Sequence, residues 1–172
     1  ARALGAALLG PNCMGFFVPG GPAAWNGQPQ DTTAPGRVAV LCQSGSIADA
    51  STHVMEVYDG DQLVQTFPIS AGSPDNPSYN GAHVVTEMNR DRIMDSSTYG
   101  VPVDSPEGYR TPVEYAVRIS DSGEFVHAAP WSVAQQGREN VSHGCINMST
   151  DRAAWFFNFS QPGDVVEIKN SA

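Results

Sequence analysis

The reactive groups of this sequence gather in one stretch. Cys145 is preceded by His143 two residues earlier and by His127 eighteen residues earlier. A thiol becomes a useful nucleophile when a histidine or another positive group lowers its pKa or takes its proton. His143 is better placed to shape the loop than to accept that proton, whereas His127, on a neighbouring strand, could meet the thiol across many residues. Gly144 supplies a flexible backbone beside the nucleophile, and the amides of Gly144 and Cys145 could hold an oxyanion. The constellation fits acyl transfer through a thioester. On residue types alone, a buried structural cysteine and two satisfied histidines account for the same letters as well. A metal site built from His127, His143 and Cys145 fits less well, because a close ligand pair of structural-zinc form and a fourth ligand are missing. No metal and no cofactor are expected.

The elements that would carry these residues are mostly strands. Thr52 to Tyr58 alternates and ends at Asp59-Gly60, and Gln62 to Phe67 follows, so Asp-Gly between two such runs predicts a hairpin. Further β-rich stretches lie at His83 to Thr86, Val113 to Ile119, Glu124 to His127 and Val165 to Ile168, separated by Gly, Pro, Asn and Ser clusters. Thr150 to Phe159 reads as the one helix: Ser149 or Thr150 can cap it, Asp151 suits its first turn, and Pro162-Gly163 follow its end.

Composition divides the chain of 172 residues near residue 50. The first 50 residues hold four charges that cancel, thirteen Gly plus Pro and no histidine, so the net charge of −9 and all four histidines lie in the remainder. Nine basic residues without a basic run argue against nucleic acid as a partner. No apolar run approaches the length that spans a bilayer. The opening Ala1 to Leu9 lacks an initiator Met and a charged start, and is read as the cut end of a longer chain.

Ser142-His143-Gly144-Cys145-Ile146-Asn147, with His127 upstream, resembles the signature of the L,D-transpeptidases, the YkuD-type catalytic domain of bacterial peptidoglycan enzymes. The likeness extends over about residues 52–170 through Ile93 to Pro102, Ser105-Pro106, Gly108-Tyr109-Arg110 and His127 to Ser132, which resemble the branch with a long active-site lid. The resemblance implies a mainly β sandwich or barrel with one short helix. It also implies that Cys145 attacks the carbonyl joining meso-diaminopimelate to the terminal D-alanine of a donor tetrapeptide stem. D-alanine would leave, with His127 as general base and then acid. The diaminopimelate amine of a neighbouring stem would resolve the thioester into a 3→3 cross-link. By the same resemblance His143, Gly144 and Cys145 shape the oxyanion pocket, Tyr109, Ser122, Gly123, Asn147 and Ser142 line the substrate site, and Met94, Tyr99 and Trp131 form lid and pocket wall. Without it, Met94, Tyr99 and Trp131 read as ordinary core and Ser122-Gly123 as a turn. Carbapenem β-lactams are the implied inhibitors, and the cell envelope outside the cytoplasm is the implied location. One departure is Ala128, where members of this branch often carry serine: if that position orients the histidine through its carbonyl, alanine serves, and if the hydroxyl matters, the rate suffers.

Residues 1–50 resemble instead an internal fragment of NDP-forming acyl-CoA synthetases, relatives of the succinyl-CoA synthetase α chain, through Gly10 to Gly15 and Pro35 to Ser46. In that likeness Val38 to Leu41 is a buried strand and Gln43 to Ser46 opens a helix. The expected organisation is thus an inactive α/β fragment, residues 1–50, ahead of a catalytic domain, residues 51–172. Val38 to Leu41 either replaces a missing edge strand or lies in a largely disordered stretch. With Cys13 and Cys42 the only candidates for a disulfide, Cys145 is expected free. The leading reading is an L,D-transpeptidase. Its rivals are a truncated, non-catalytic peptidoglycan-binding fragment, an L,D-carboxypeptidase using water as acceptor, and a cysteine peptidase on ordinary peptides.

Overall fold

The computed structural model describes residues 15–16, 24–25 and 44–172. The first two pairs form a minimal antiparallel ribbon, β1 (Gly15–Phe16) with β2 (Ala24–Trp25). The rest builds two sheets and a helix. One sheet has five strands in the order β5-β4-β3-β11-β6, from β3 (Ser44–Asp49), β4 (Val54–Asp59), β5 (Gln62–Pro68), β6 (Gly81–Val84) and β11 (Val165–Lys169). The other has four in the order β10-β9-β8-β7, from β7 (Glu87–Asp95), β8 (Arg110–Arg118), β9 (Phe125–Ala128) and β10 (Ile146–Met148). The sheets do not close on each other, so the architecture is a sandwich and not a barrel.

Each sheet contributes one face to a common core, as the two-residue period of strands requires. Met55 and Val57 of β4, Phe67 of β5 and Val166 and Ile168 of β11 meet Val117, Val126, Ala128, Ile146 and Met148 of the second sheet. The helix α1 (Thr150–Phe159) adds Ala153 and Phe156 to the same cluster. Its aromatic face packs Trp155 on Phe67 (ring centroids 5.3 Å) and Phe157 on Tyr115 (5.8 Å), which ties helix to both sheets. Helix and hairpin lie where the sequence puts them. Ser149 is the N-cap, but its hydroxyl donates to Asp151 rather than capping a backbone amide. The β4–β5 turn carries Gly60 at φ +61°.

Three strands depart from the sequence-based expectation. Ser44–Asp49, whose first residues were expected to open a helix, is the central strand β3, parallel to β11 and antiparallel to β4. Ser46, Ala48 and Ala50 are its buried side, a small-residue face that fits between two neighbours without an apolar run. Strand β7 replaces apolar alternation with charge: Arg90 bridges Asp91 and the cross-strand Glu114, while Glu87 binds Arg92 and Arg118. Strand β10 is only three residues long and wholly buried. Val38 to Leu41, the proposed substitute strand, lies outside the described residues. Among the described residues no helix is long and apolar enough to cross a membrane.

A chain beginning at Ser44 should therefore unfold in one cooperative thermal transition, whereas one beginning at Ser51, lacking β3, should show none. Equal melting curves would mean that β3 is dispensable.

Candidate active site

The register of two short parallel strands brings the reactive pair together. β9 and β10 pair with Val126 opposite Ile146 and His127 opposite Asn147. Because side chains alternate, Val126, Ala128, Ile146 and Met148 point into the core, and Phe125, His127 and Asn147 point the other way, with Cys145 following suit. On that outer face Phe125, Val113 and Ala116 form a small apolar cluster against which Met94 and Cys145 pack. Val113 and Ala116 share the face although three residues apart, and Tyr115 between them adopts φ +54°.

The result is a cavity of about 340 Å³ over the outer face. His127 and Cys145 both line it, with Ser142, His143, Asn147, Trp131, Met94 and Tyr109, all singled out in the sequence. Thr111, Val113 and Val141 also line it and were not foreseen, since small and branched residues on a strand carry no chemical signal. The Trp131 ring stands 6.1 Å from His127, and Tyr109 lies 5.3 Å from His143. Ser122 and Gly123 are not brought into this cavity. They form the β8–β9 turn, with Gly123 at φ +98° and Ser122 bonded to Ser120 and Glu124. Tyr99 ends the short 3-10 turn Ser96–Tyr99, and its side chain lies outside the described part. Among the described residues no three His, Cys, Asp or Glu side chains are grouped to hold a metal ion.

The lid that delivers Tyr109 has a closed neck. The Ser96 amide donates to the Tyr109 carbonyl at 3.0 Å, and the Ser96 hydroxyl accepts the Tyr109 amide at 3.0 Å in return. Asp95 caps the turn by accepting from the Ser97 amide at 2.9 Å. Gly108 packs so closely that a Cβ there would lie 2.2 Å from the Pro102 carbonyl oxygen.

The nucleophile turn is strapped to the segment after β5. The Asn140 amide donates to the Ala50 carbonyl at 2.9 Å, and its oxygen accepts the Ala71 amide at 3.0 Å. Ser142 donates its amide to Ala71 (3.1 Å) and accepts the Ser73 amide (2.9 Å). Its hydroxyl accepts the Gly144 amide at 3.1 Å and donates to the Cys145 carbonyl at 2.5 Å. Gly144, at φ +114°, thus has its amide engaged within the turn. Asn147 is held by its side-chain amide, which donates to the Ser132 hydroxyl at 3.2 Å.

Both reactive groups are kept uncharged. Burial lowers the His127 pKa below its ordinary 6.5, with the Ala128 carbonyl opposing that shift. That carbonyl lies 2.8 Å from Nδ1, so Nδ1 carries the proton and Nε2 is the basic nitrogen. The alanine at 128 therefore orients the ring through its backbone. Burial also pushes the Cys145 thiol up to about 11, with the Glu124 charge adding to the effect and the Phe125 amide opposing it. Cys145 is a free thiol. A neutral thiol and a neutral imidazole that line one cavity need proton transfer at the moment of attack.

Residues 44–168 match the family model described as the L,D-transpeptidase catalytic domain, YkuD. The chain belongs to that family. It is 48% identical over 124 residues to L,D-transpeptidase 2 of Mycobacterium tuberculosis (strain CDC 1551 / Oshkosh), covering 72% of this chain and 30% of that protein. Among solved structures it is similar to the LD transpeptidase LdtMt1 in complex with imipenem, with a TM-score of 0.72 and 42% identity over 73% of this chain and 58% of that one. A second is L,D-transpeptidase 3 of M. tuberculosis with a faropenem-derived adduct, with a TM-score of 0.69 and 39% identity over 74% and 60%. The chain thus spans less than a third of the length of the first relative.

One outcome follows from the neutral thiol. Alkylation of Cys145 by iodoacetamide should keep accelerating with pH beyond 9 and level off only near 11. A plateau already reached at neutral pH would reveal a preformed thiolate and contradict the site described here.

Proposed function

We propose that this chain is the catalytic domain of a peptidoglycan L,D-transpeptidase. The observation that carries the proposal is that His127 on β9 and Cys145, the residue just before the parallel strand β10, both line one cavity. Membership of the family supports it.

In this reading a donor tetrapeptide stem lies in the cavity, its diaminopimelate–D-alanine bond over Cys145. Nε2 of His127 takes the thiol proton as Sγ attacks the carbonyl, and the imidazolium returns that proton to the departing D-alanine amine. The Ala128 carbonyl, already bound to Nδ1–H, steadies the ring while it is charged. A stem amine then deprotonates on His127 and displaces the thiolate, closing a 3→3 cross-link. Trp131 is 56% exposed at the rim, where its ring offers apolar area to a flexible peptide. Tyr109 from the lid and Asn147 from β10 line the same cavity. Peptidoglycan lies outside the cytoplasmic membrane, so this reading places the enzyme in the cell envelope.

A strained β-lactam carbonyl meets the same nucleophile, and two relatives are seen with imipenem and with a faropenem-derived adduct. Incubation with a carbapenem should add one drug mass to the wild-type chain and none to Cys145→Ala. An unmodified wild type, or an equal adduct on the variant, would sink the proposal. Ala128→Ser should change the acylation rate by less than about threefold, because the histidine contact is a main-chain one. A large gain in rate would show that a hydroxyl at 128 takes part.

A further inference from the structure

The peptide unit between Gly144 and Cys145 carries the nucleophile's own N–H. In a trans peptide the C=O and N–H of one unit point in opposite directions, so whatever holds the carbonyl aims the amide. The Gly144 carbonyl is held by a residue far away in sequence: the Ser78 hydroxyl donates to it at 2.7 Å. Ser78 is 2% exposed, and its oxygen accepts the Gly72 amide at 2.9 Å, which leaves the hydroxyl proton for Gly144.

That hydroxyl has little freedom to move. A Cβ at Gly72 would stand 2.3 Å from the Asn76 carbonyl oxygen and 2.5 Å from the Ser78 nitrogen, so the 73–80 loop presses on the strap that carries Ser78's partner. The next residue, Tyr79, is pinned by its amide to the buried Glu124 carboxylate at 2.7 Å. Glu124 also backs Gly144, where a Cβ would lie 3.8 Å from its Cγ. Ser78 thus holds the Gly144 carbonyl, while Glu124 and Pro77 lie against the position that a Cβ on Gly144 would take. The Gly144 amide is taken by Ser142, and the ladder between β10 and β9 begins at Ile146, one residue past Cys145.

We infer that Ser78 is a positioning residue for acyl transfer: by holding the Gly144 carbonyl on the buried side, it aims the Cys145 amide at the oxyanion. The inference rests on the acyl-transfer reading proposed above. As the Sγ–C bond forms, the carbonyl π pair moves onto oxygen and the thiol proton passes to Nε2 of His127. The Cys145 N–H donates to that oxygen until the leaving amine departs with the proton and the C=O bond is restored.

The test compares two reactions of one thiol. Acylation by a carbapenem passes through a tetrahedral oxyanion, whereas alkylation by iodoacetamide displaces iodide from an sp³ carbon and forms none. Ser78→Ala should slow acylation about 10- to 100-fold, approaching what loss of one oxyanion donor costs, while alkylation stays within about twofold. Ser78→Thr, which keeps the hydroxyl, should restore acylation. If Ser78→Ala lacks the wild-type thermal transition, Ser78→Val, read against the isosteric Ser78→Thr, takes its place with the same expected split. Unchanged acylation, or equal slowing of both reactions, would overturn the inference. A wild type that is alkylated but never acylated would overturn the acyl-transfer reading instead, and this inference with it.

Discussion

The site depends on the pairing of β9 with β10. Val126 opposite Ile146 leaves Cys145 and His127 on the face that looks away from the core. A slip of one residue would send the nucleophile into the sandwich and Ile146 into the cavity. Two parallel strands of three or four residues do not fix such a register unaided. It is set from both sides: Val126, Ala128, Ile146 and Met148 lock into the core, and Ser70 exchanges both backbone bonds with Asn147 across the open edge. The long connection that parallel strands require is anchored through Asn140 and Ser142 to the same strap. What looks like loop is thus stapled backbone, and the turn around Gly144 inherits its rigidity.

The same packing sets the protonation states. Placing Cys145 against Phe125 and Val113 removes water from the thiol and raises its pKa, and burying His127 favours the neutral ring. A site that stored a thiolate would need a cation close by. This one has the buried Glu124 carboxylate behind the nucleophile turn, which works against a resting anion. Reactivity is therefore conditional on His127 as a base, and the Ala128 carbonyl fixes which nitrogen serves. The sign of each shift also bears on stability. His127 disfavours the folded state only as pH falls below about 6.5, where the unfolded chain binds a proton that the folded chain resists. Cys145 disfavours it only as pH rises from 9.0 towards 11, where the unfolded thiol ionises first.

Much of this was legible in the residues. The hairpin announced itself through Asp59-Gly60, the helix through its flanking Ser149 and Pro162-Gly163, and the reactive pair through the family resemblance of its motif, since types and spacing alone left the choice even. What escaped had physical reasons. β3 has a buried face of Ser46, Ala48 and Ala50, which satisfies its neighbours by being small and so shows no apolar period. β7 is stabilised by cross-strand ion pairs and by Arg90 and Arg92 lying 4.0 Å and 4.7 Å over the rings of Tyr115 and Phe125, so it reads as a polar segment. β10 is too short to alternate. Ser122 and Gly123 look like site residues by resemblance, yet local turn geometry decides their position. Ser78 escaped because its contact joins residues 66 apart through a hydroxyl, and no local pattern encodes that.

The central claim is that a neutral Cys145 is activated by a neutral His127. The single-turnover rate of carbapenem acylation across pH, in the wild type and in His127→Gln, tests it most directly. The wild type should hold a plateau that persists below pH 6.5, because burial keeps the ring unprotonated there. The variant should fall by about 10²- to 10⁴-fold at neutral pH, in line with the loss of a general base, and climb with hydroxide concentration towards the thiol's own titration. A variant that kept the wild-type plateau would contradict the account.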